Sequence, residues 1–172
     1  MLERIKLTAL QSKVMTAEES ALFFEDGMTV GSSGFTRGGD TKVVLKAVAE
    51  RAKSENLKIT LVTGASLGHG TDAALVESGA LKKRLPFQVD TVMRKNINAG
   101  NVLFIDQHLG ETAEHILDGQ FKINLGVLEV AEILEDGSLV PTTSIGNNAE
   151  IAASADKLII EINTSIPTNI KG

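Results

Sequence analysis

The sequence has no cysteine. That excludes disulfides, thiolate metal ligands and a cysteine nucleophile, and it suits a reducing cytoplasm, the compartment expected here. Tryptophan and tyrosine are also missing, and six phenylalanines are the only aromatics. Such a set is too sparse for platforms that stack single-stranded bases. No apolar run reaches the roughly 18 residues that a membrane-spanning helix needs. The opening MLERIKLTAL is charged and amphipathic, and without an apolar core and cleavage site it is not read as a signal peptide. No basic cluster offsets the net charge of −5, so neither nucleic acid nor a membrane is an expected partner. The three histidines have no carboxylate or histidine neighbour at metal-ligand spacing, and no metal site is expected.

What is present is ordinary for a globular protein. The chain has 172 residues, 42% hydrophobic and 23% charged, which we read as a single domain over 1–172 with a sizeable core. Its organising stretch is MTVGSSGFTRGGDTK at 28–42. An apolar strand opens it, glycines and serines follow, and Asp40 or Thr41 is placed to cap a helix from Lys42. Strand, glycine-rich turn and helix bring backbone N–H groups near a ligand, and the helix amino end favours negative charge. The spacing matches neither the dinucleotide fingerprint nor a P-loop. A turn that serves chain geometry alone fits it equally well.

Periodicity predicts helices over 4–13, 16–24, 42–53, 71–77, 90–98, 111–117 and 147–155. Thr16 to Glu19 carries a capping-box pattern. Strands are expected over 28–30, 57–63, 102–106, 123–130 and 158–162, with a hairpin over 134–140 around Glu135 to Ser138. Residues 80–98 are ambiguous up to Asp90 because Pro86 interrupts them. Alternating strands and helices, with several strands apolar throughout, predict an α/β fold with an open, mainly parallel sheet flanked by helices.

Ligands of such sheets bind beyond the carboxyl ends of the strands. The residues expected there are Ser33 to Arg37, Gly64 to Ser66, Gln107 and His108, Glu129, and Thr142 to Asn148. Most are small, neutral hydrogen-bonding residues, suited to an anionic or carbonyl-bearing ligand held by backbone amides. Plain structural readings stand beside the functional ones. His108 reads as a turn histidine or a ligand contact, and His69 and His115 as surface residues. Glu129 reads as half of an ion pair with Arg94 or Lys95, or as a functional carboxylate. Asn147 and Asn148 read as a helix cap or a substrate-binding turn. Ser66 and Ser144 lack a nucleophile elbow.

Several stretches, in order, carry a resemblance: DGMTVGSSGFTRGGDTK, LVTGAS, ALVESGALKKRLPFQ, RKNINAG, FIDQHL, EDGSLVPTTSIGNN and ADKLIIEINTSIP. They resemble the amino-terminal half of the acetyl-CoA hydrolase/transferase family, class I CoA-transferases that include succinyl-CoA:acetate and butyryl- or 4-hydroxybutyrate-type enzymes. The resemblance implies covalent catalysis. A glutamate attacks an acyl-CoA thioester, passes through an anhydride to a glutamyl-CoA thioester, and CoA moves to a carboxylate or to water. It implies coenzyme A as substrate with no further cofactor, an acyl-CoA and a small carboxylate as ligands, and a homo-oligomer. The nucleophilic glutamate belongs to the carboxyl-terminal half, and no residue here matches it. A carboxyl-terminal half or second subunit is therefore an expected partner, and this chain alone is expected to be inactive. By resemblance, Gly34, Phe35 and Thr36 border the acyl pocket, with Ser66, Asn98 and His108 as neighbours and Ser144, Gly146 and Asn147 completing the wall. GFTRGG departs from the family's commoner GFTPAG, with Arg37 and Gly38 in place of proline and alanine. Two other readings remain: a non-catalytic binding or assembly subunit of a split enzyme, and a sugar-phosphate isomerase-like enzyme. The last needs paired acid–base carboxylates at strand ends, which the sequence does not offer.

Overall fold

The computed structural model describes residues 1–168. A 3₁₀ turn at Leu2–Arg4 leads to helix α1 (Thr8–Gln11) and α2 (Ala17–Ala21). Then β1 (Thr29–Ser32), α3 (Val44–Ala52), β2 (Ile59–Thr63), α4 (Thr71–Glu77), β3 (Leu81–Leu85), α5 (Thr91–Asn98) and β4 (Leu103–Phe104) alternate. The remainder is α6 (Leu109–Leu117), β5 (Leu125–Ile133), β6 (Leu139–Pro141), α7 (Asn148–Ser154) and β7 (Lys157–Ile162).

The seven strands form one mostly parallel sheet. Its order is β4-β3-β2-β1-β5, all parallel, with β7 parallel to β5 over Leu125 to Glu129. β6 runs antiparallel to the far half of β5 and makes the expected hairpin. β5 is buried along its whole length, as a strand covered on both faces must be, and runs three residues past the expected Val130. Helices α3, α4 and α5 cover one face over a core that includes Leu45, Val48, Ile59, Leu61, Leu75 and Met93. α6 and α7 pack together over a second core of Val62, Leu85, Ile116, Ile123, Leu128 and Ile151.

Three departures have physical causes. β3 (Leu81–Leu85) falls in the stretch that Pro86 leaves ambiguous in the sequence. Burial of Leu81 and Leu85, worth roughly 1.5–3 kcal/mol each, exceeds the roughly 1 kcal/mol span of strand propensity. Arg84 enters the interior because a carboxylate waits there. The expected helix over 4–13 is split: Ile5 bridges to Ile133 as an extended residue, and only Thr8–Gln11 is helical. The capping box at Thr16 and Glu19 forms, but its helix ends at Ala21 rather than Phe24. Among the described residues no helix is long and apolar enough to cross a membrane.

Candidate functional site

The glycine stretch leaves β1 and folds back on itself. Phe35 and Gly38 exchange backbone hydrogen bonds of 2.9 and 3.1 Å, with Thr36 and Arg37 at the tip and Thr36 at φ 64°. Ser33 pins the base of this turn. Its hydroxyl donates to the Gly39 carbonyl at 2.7 Å and accepts the Glu129 N–H at 2.8 Å. The segment after β6 crosses the turn, and Ser144 Oγ donates to the Gly38 carbonyl at 2.6 Å. The loop after β2 closes the third side. Ala65 N–H donates to the Gly34 carbonyl at 3.1 Å. A Cβ at Gly64 would lie 2.7 Å from that carbonyl oxygen and 3.4 Å from Gly146 Cα. The glycines thus let three loops approach one another, which answers the question of geometry against ligand first in favour of geometry.

Gly34, Phe35, Thr36, Ser66, Ser144, Gly146 and Asn147 all belong to this crossing. Phe35 stands out of it, 48% exposed. Ser66 is fully buried, and neither its hydroxyl nor the Asn147 amide nitrogen has a protein partner. Asn147 occupies the cap position of α7 without making a cap bond. Two expected neighbours lie elsewhere. His108 follows the edge strand β4, is exposed, and accepts the Gly110 N–H to cap α6. Asn98 ends α5, five residues before β4 begins, so it sits at the amino edge of the sheet, opposite the loops.

Carboxylates ring the crossing, and each has an assigned partner. Glu129 pairs with Lys42, not with Arg94 or Lys95, and its other oxygen accepts from Thr142 Oγ1 at 2.8 Å. Asp40, fully buried, does not cap α3. It accepts from Gly68 N–H at 3.1 Å and meets His69 Nδ1 at 2.9 Å, so His69, a surface residue as expected, is also tied to a buried carboxylate. Asp72 receives Leu67 N–H at 2.7 Å, Gln88 at 3.0 Å and the Arg84 guanidinium at 3.0 Å. Arg84 also donates to Thr63 and to the Ala65 carbonyl, which fixes the loop that carries Ser66.

The cap of α3 comes from β7. Glu161 accepts the N–H groups of Lys42, Val43 and Val44 at 2.8, 3.2 and 2.7 Å. Burial pushes the Glu161 carboxyl above the ordinary glutamate range, the three N–H bonds pull it down, and the Glu129 charge adds to the rise. Because the folded value is the higher one, the folded chain binds this proton first. The contribution to stability is full below the unfolded glutamate range and is lost as pH rises through the folded value. Relative to Glu161→Gln, the wild type should therefore gain melting temperature as pH falls from about 7 to about 4.5. Parallel curves for the two proteins would contradict this.

Lys42, Asp40, Asp72, Arg84 and Glu161 were not among the sequence-derived site residues. The lone carboxylate in the apolar run LIIEI was a usable signal, since a buried glutamate needs a partner. Arg84 had none, because it lies in the stretch that Pro86 leaves ambiguous. Among the described residues no cluster of three or more histidines or carboxylates is placed to hold a metal ion.

The family model described as acetyl-CoA hydrolase/transferase N-terminal domain matches residues 3–172. Succinyl-CoA:acetate CoA-transferase of Clostridium kluyveri is 39% identical over 99% of this chain, which spans 32% of that protein. Acetyl-CoA hydrolase of Schizosaccharomyces pombe is 33% identical over 96% of the chain and 34% of its own length. The chain thus spans about a third of the curated relatives it matches. The crystal structure of RipA from Yersinia pestis has the same fold, with a TM-score of 0.67 and 19% identity over 96% of this chain and 38% of that one.

Proposed function

We propose, from the premise that the chain belongs to the acetyl-CoA hydrolase/transferase family by its N-terminal domain, that it supplies one wall of an acyl-CoA site whose nucleophile lies outside it. The observation that carries this reading is the commitment of the carboxylates around the crossed loops. Glu129, Asp40, Asp72 and Glu161 are each held by a cation or by backbone N–H groups. A nucleophilic carboxylate needs a free lone pair aimed at the reacting carbon. Glu129, Asp72 and Glu161 have both oxygens engaged, and Asp40, whose Oδ1 makes no hydrogen bond, is fully buried with Lys42 Nζ 3.8 Å away, so we assign the glutamate that forms the CoA thioester to the polypeptide that makes up the rest of the relatives.

The residues gathered here have supporting roles. Ser66 Oγ and Asn147 Nδ2, buried without protein partners, are donors for a carbonyl or carboxylate oxygen. Gly34 and Gly146 let backbone approach the ligand. Phe35 meets the acyl chain, and Thr36 borders it. Arg37 faces outward over Gly68. CoA is substrate, moved from an acyl-CoA to a carboxylate or to water.

The test follows acetyl-CoA and succinate by chromatography. This chain alone should give no CoA exchange. The enzyme that carries it should turn over, and Phe35→Ala there should shift acyl-chain preference several-fold at nearly unchanged melting temperature. Exchange by the chain alone would overturn the reading and point back to Glu129. A large loss of stability in Phe35→Ala would make Phe35 a packing residue.

A further inference from the structure

A small pocket opens beside the crossed loops, on the side of Thr36. It lies between the tip of the glycine turn, the loop after β2 and the start of α5. Its polar lining is Thr36, Arg37, His69, Asp90 and Thr91. The pocket encloses about 120 Å³. At about 30 Å³ per water molecule, that is room for one carboxylate or phosphate group.

Two of these residues hold an unfavourable backbone. Among the described residues, Thr36 and His69 are the only non-glycines at positive φ, 64° and 54°. Such a backbone costs any residue with a side chain, a β-branched one most, and it persists only where the surroundings impose it. The Phe35–Gly38 exchange imposes it at Thr36. At His69, Lys46 Nζ donates to the carbonyl at 2.6 Å and Asp40 holds the ring. Asp40 is fully buried and its carboxylate only accepts, so His69 Nδ1 donates to it and Nε2 is left for the pocket. Arg37 lies across Gly68, where an added Cβ would meet its Cγ at 2.8 Å. Its guanidinium has no hydrogen-bond or ion-pair partner among the described residues. Asp90, the carboxylate of the lining, is tied to α5 by the Met93 N–H at 2.8 Å.

We propose that Arg37 and His69 make this pocket an oxyanion subsite, which takes an anionic group of the acyl-CoA or of its acceptor. The inference rests on the reading of the crossed loops as one wall of an acyl-CoA site, with Thr36 bordering both. Arg37 supplies a fixed charge and forked donors. An oxyanion against Nε2 draws a second proton onto the ring, which then donates to Asp40 on one side and to the ligand on the other. The far carboxylate of a dicarboxylic acid and a phosphate of CoA share this chemistry.

The test titrates the isotope-labelled chain with succinate and with inorganic phosphate, and NMR reads the amides of Thr36, Arg37, Gly68 and His69. At least one anion should shift them saturably, and the tighter one identifies the source. Arg37→Gln and His69→Asn should each weaken that binding by about tenfold or more, at nearly unchanged melting temperature. Asparagine accepts a positive φ and its amide can still donate to Asp40, so His69→Asn removes Nε2 alone. Lys58→Gln, which removes the same charge just before β2, should leave binding as it is. In the enzyme that carries the chain, Arg37→Gln should lower kcat/KM for succinate relative to propionate several-fold if the source is a carboxylate. If it is a phosphate, the KM for acetyl-CoA should rise several-fold instead. Absence of saturable shifts with both anions would overturn the proposal. So would undiminished binding in Arg37→Gln, or in His69→Asn, which would leave the histidine a loop clasp, or enzyme kinetics unmoved in both measures. The two readings fail separately: exchange without anion binding removes this one alone, and an enzyme without exchange removes the catalytic reading whatever the titration shows.

Discussion

Arg84→Met should lower stability by about 3–5 kcal/mol, enough to move the melting temperature by on the order of 10 °C. Arg84 and Asp72 are both fully buried, with Nε to Oδ1 at 3.0 Å. A buried ion pair adds little over a well-packed apolar pair, but removal of one partner strands the other charge without water. Asp72 would keep Gln88 and the Leu67 N–H, two neutral donors for a full charge. Thr63 Oγ1 would lose its donor, and the Ala65 carbonyl one of its two, keeping only Thr63 Oγ1. Denaturant titration reads the loss. Arg84→Met with Asp72→Leu should recover much of it, because no charge is then left unpaired. A single variant within about 1 kcal/mol of wild type would mean that water reaches Asp72.

Gly34→Ala should cost on the order of 3 kcal/mol, from backbone strain and crowding together. The residue has φ 143°, and an added Cβ would lie 2.7 Å from Leu67 Cδ2, 3.0 Å from Asp40 Cβ and 3.2 Å from Asp40 Cα. Leu67 can rotate, but the Asp40 backbone is fixed by the hydrogen bonds that close the turn. Gly119→Ala is the control, with φ 74° and nothing within 4 Å of its Cβ. It should show the conformational cost alone, about 1 kcal/mol. Equal losses in the two variants would show that the crossed loops are not closely packed at Gly34.

The α/β alternation, the parallel sheet and the family were legible because they rest on local periodicity and ordered motifs. The crossing of the three loops was legible in part. Small residues at expected strand ends marked Ser66, Ser144 and Asn147, but Asn98 and His108 came with them, since a motif carries no record of which sheet edge it occupies. What stayed hidden was pairing at long sequence separation. Lys42 meets Glu129, Arg84 meets Asp72, and Glu161 meets Val44 across 117 residues. Each is a choice among many charges of the right sign, decided by tertiary packing. β3 failed for the same reason, because its arginine is a core residue only when Asp72 is beside it.

The capping of α3 by Glu161 has a consequence for synthesis. Translation delivers the glycine turn and α3 early, but the carboxylate that satisfies the N–H groups of Lys42, Val43 and Val44 arrives only with β7. A ribosome adding about 5–20 residues per second leaves that junction uncapped for several seconds. The long loop must also close before the contact repays its entropy. The glycine turn therefore matures only after β7 has been made, whatever order the helices form in.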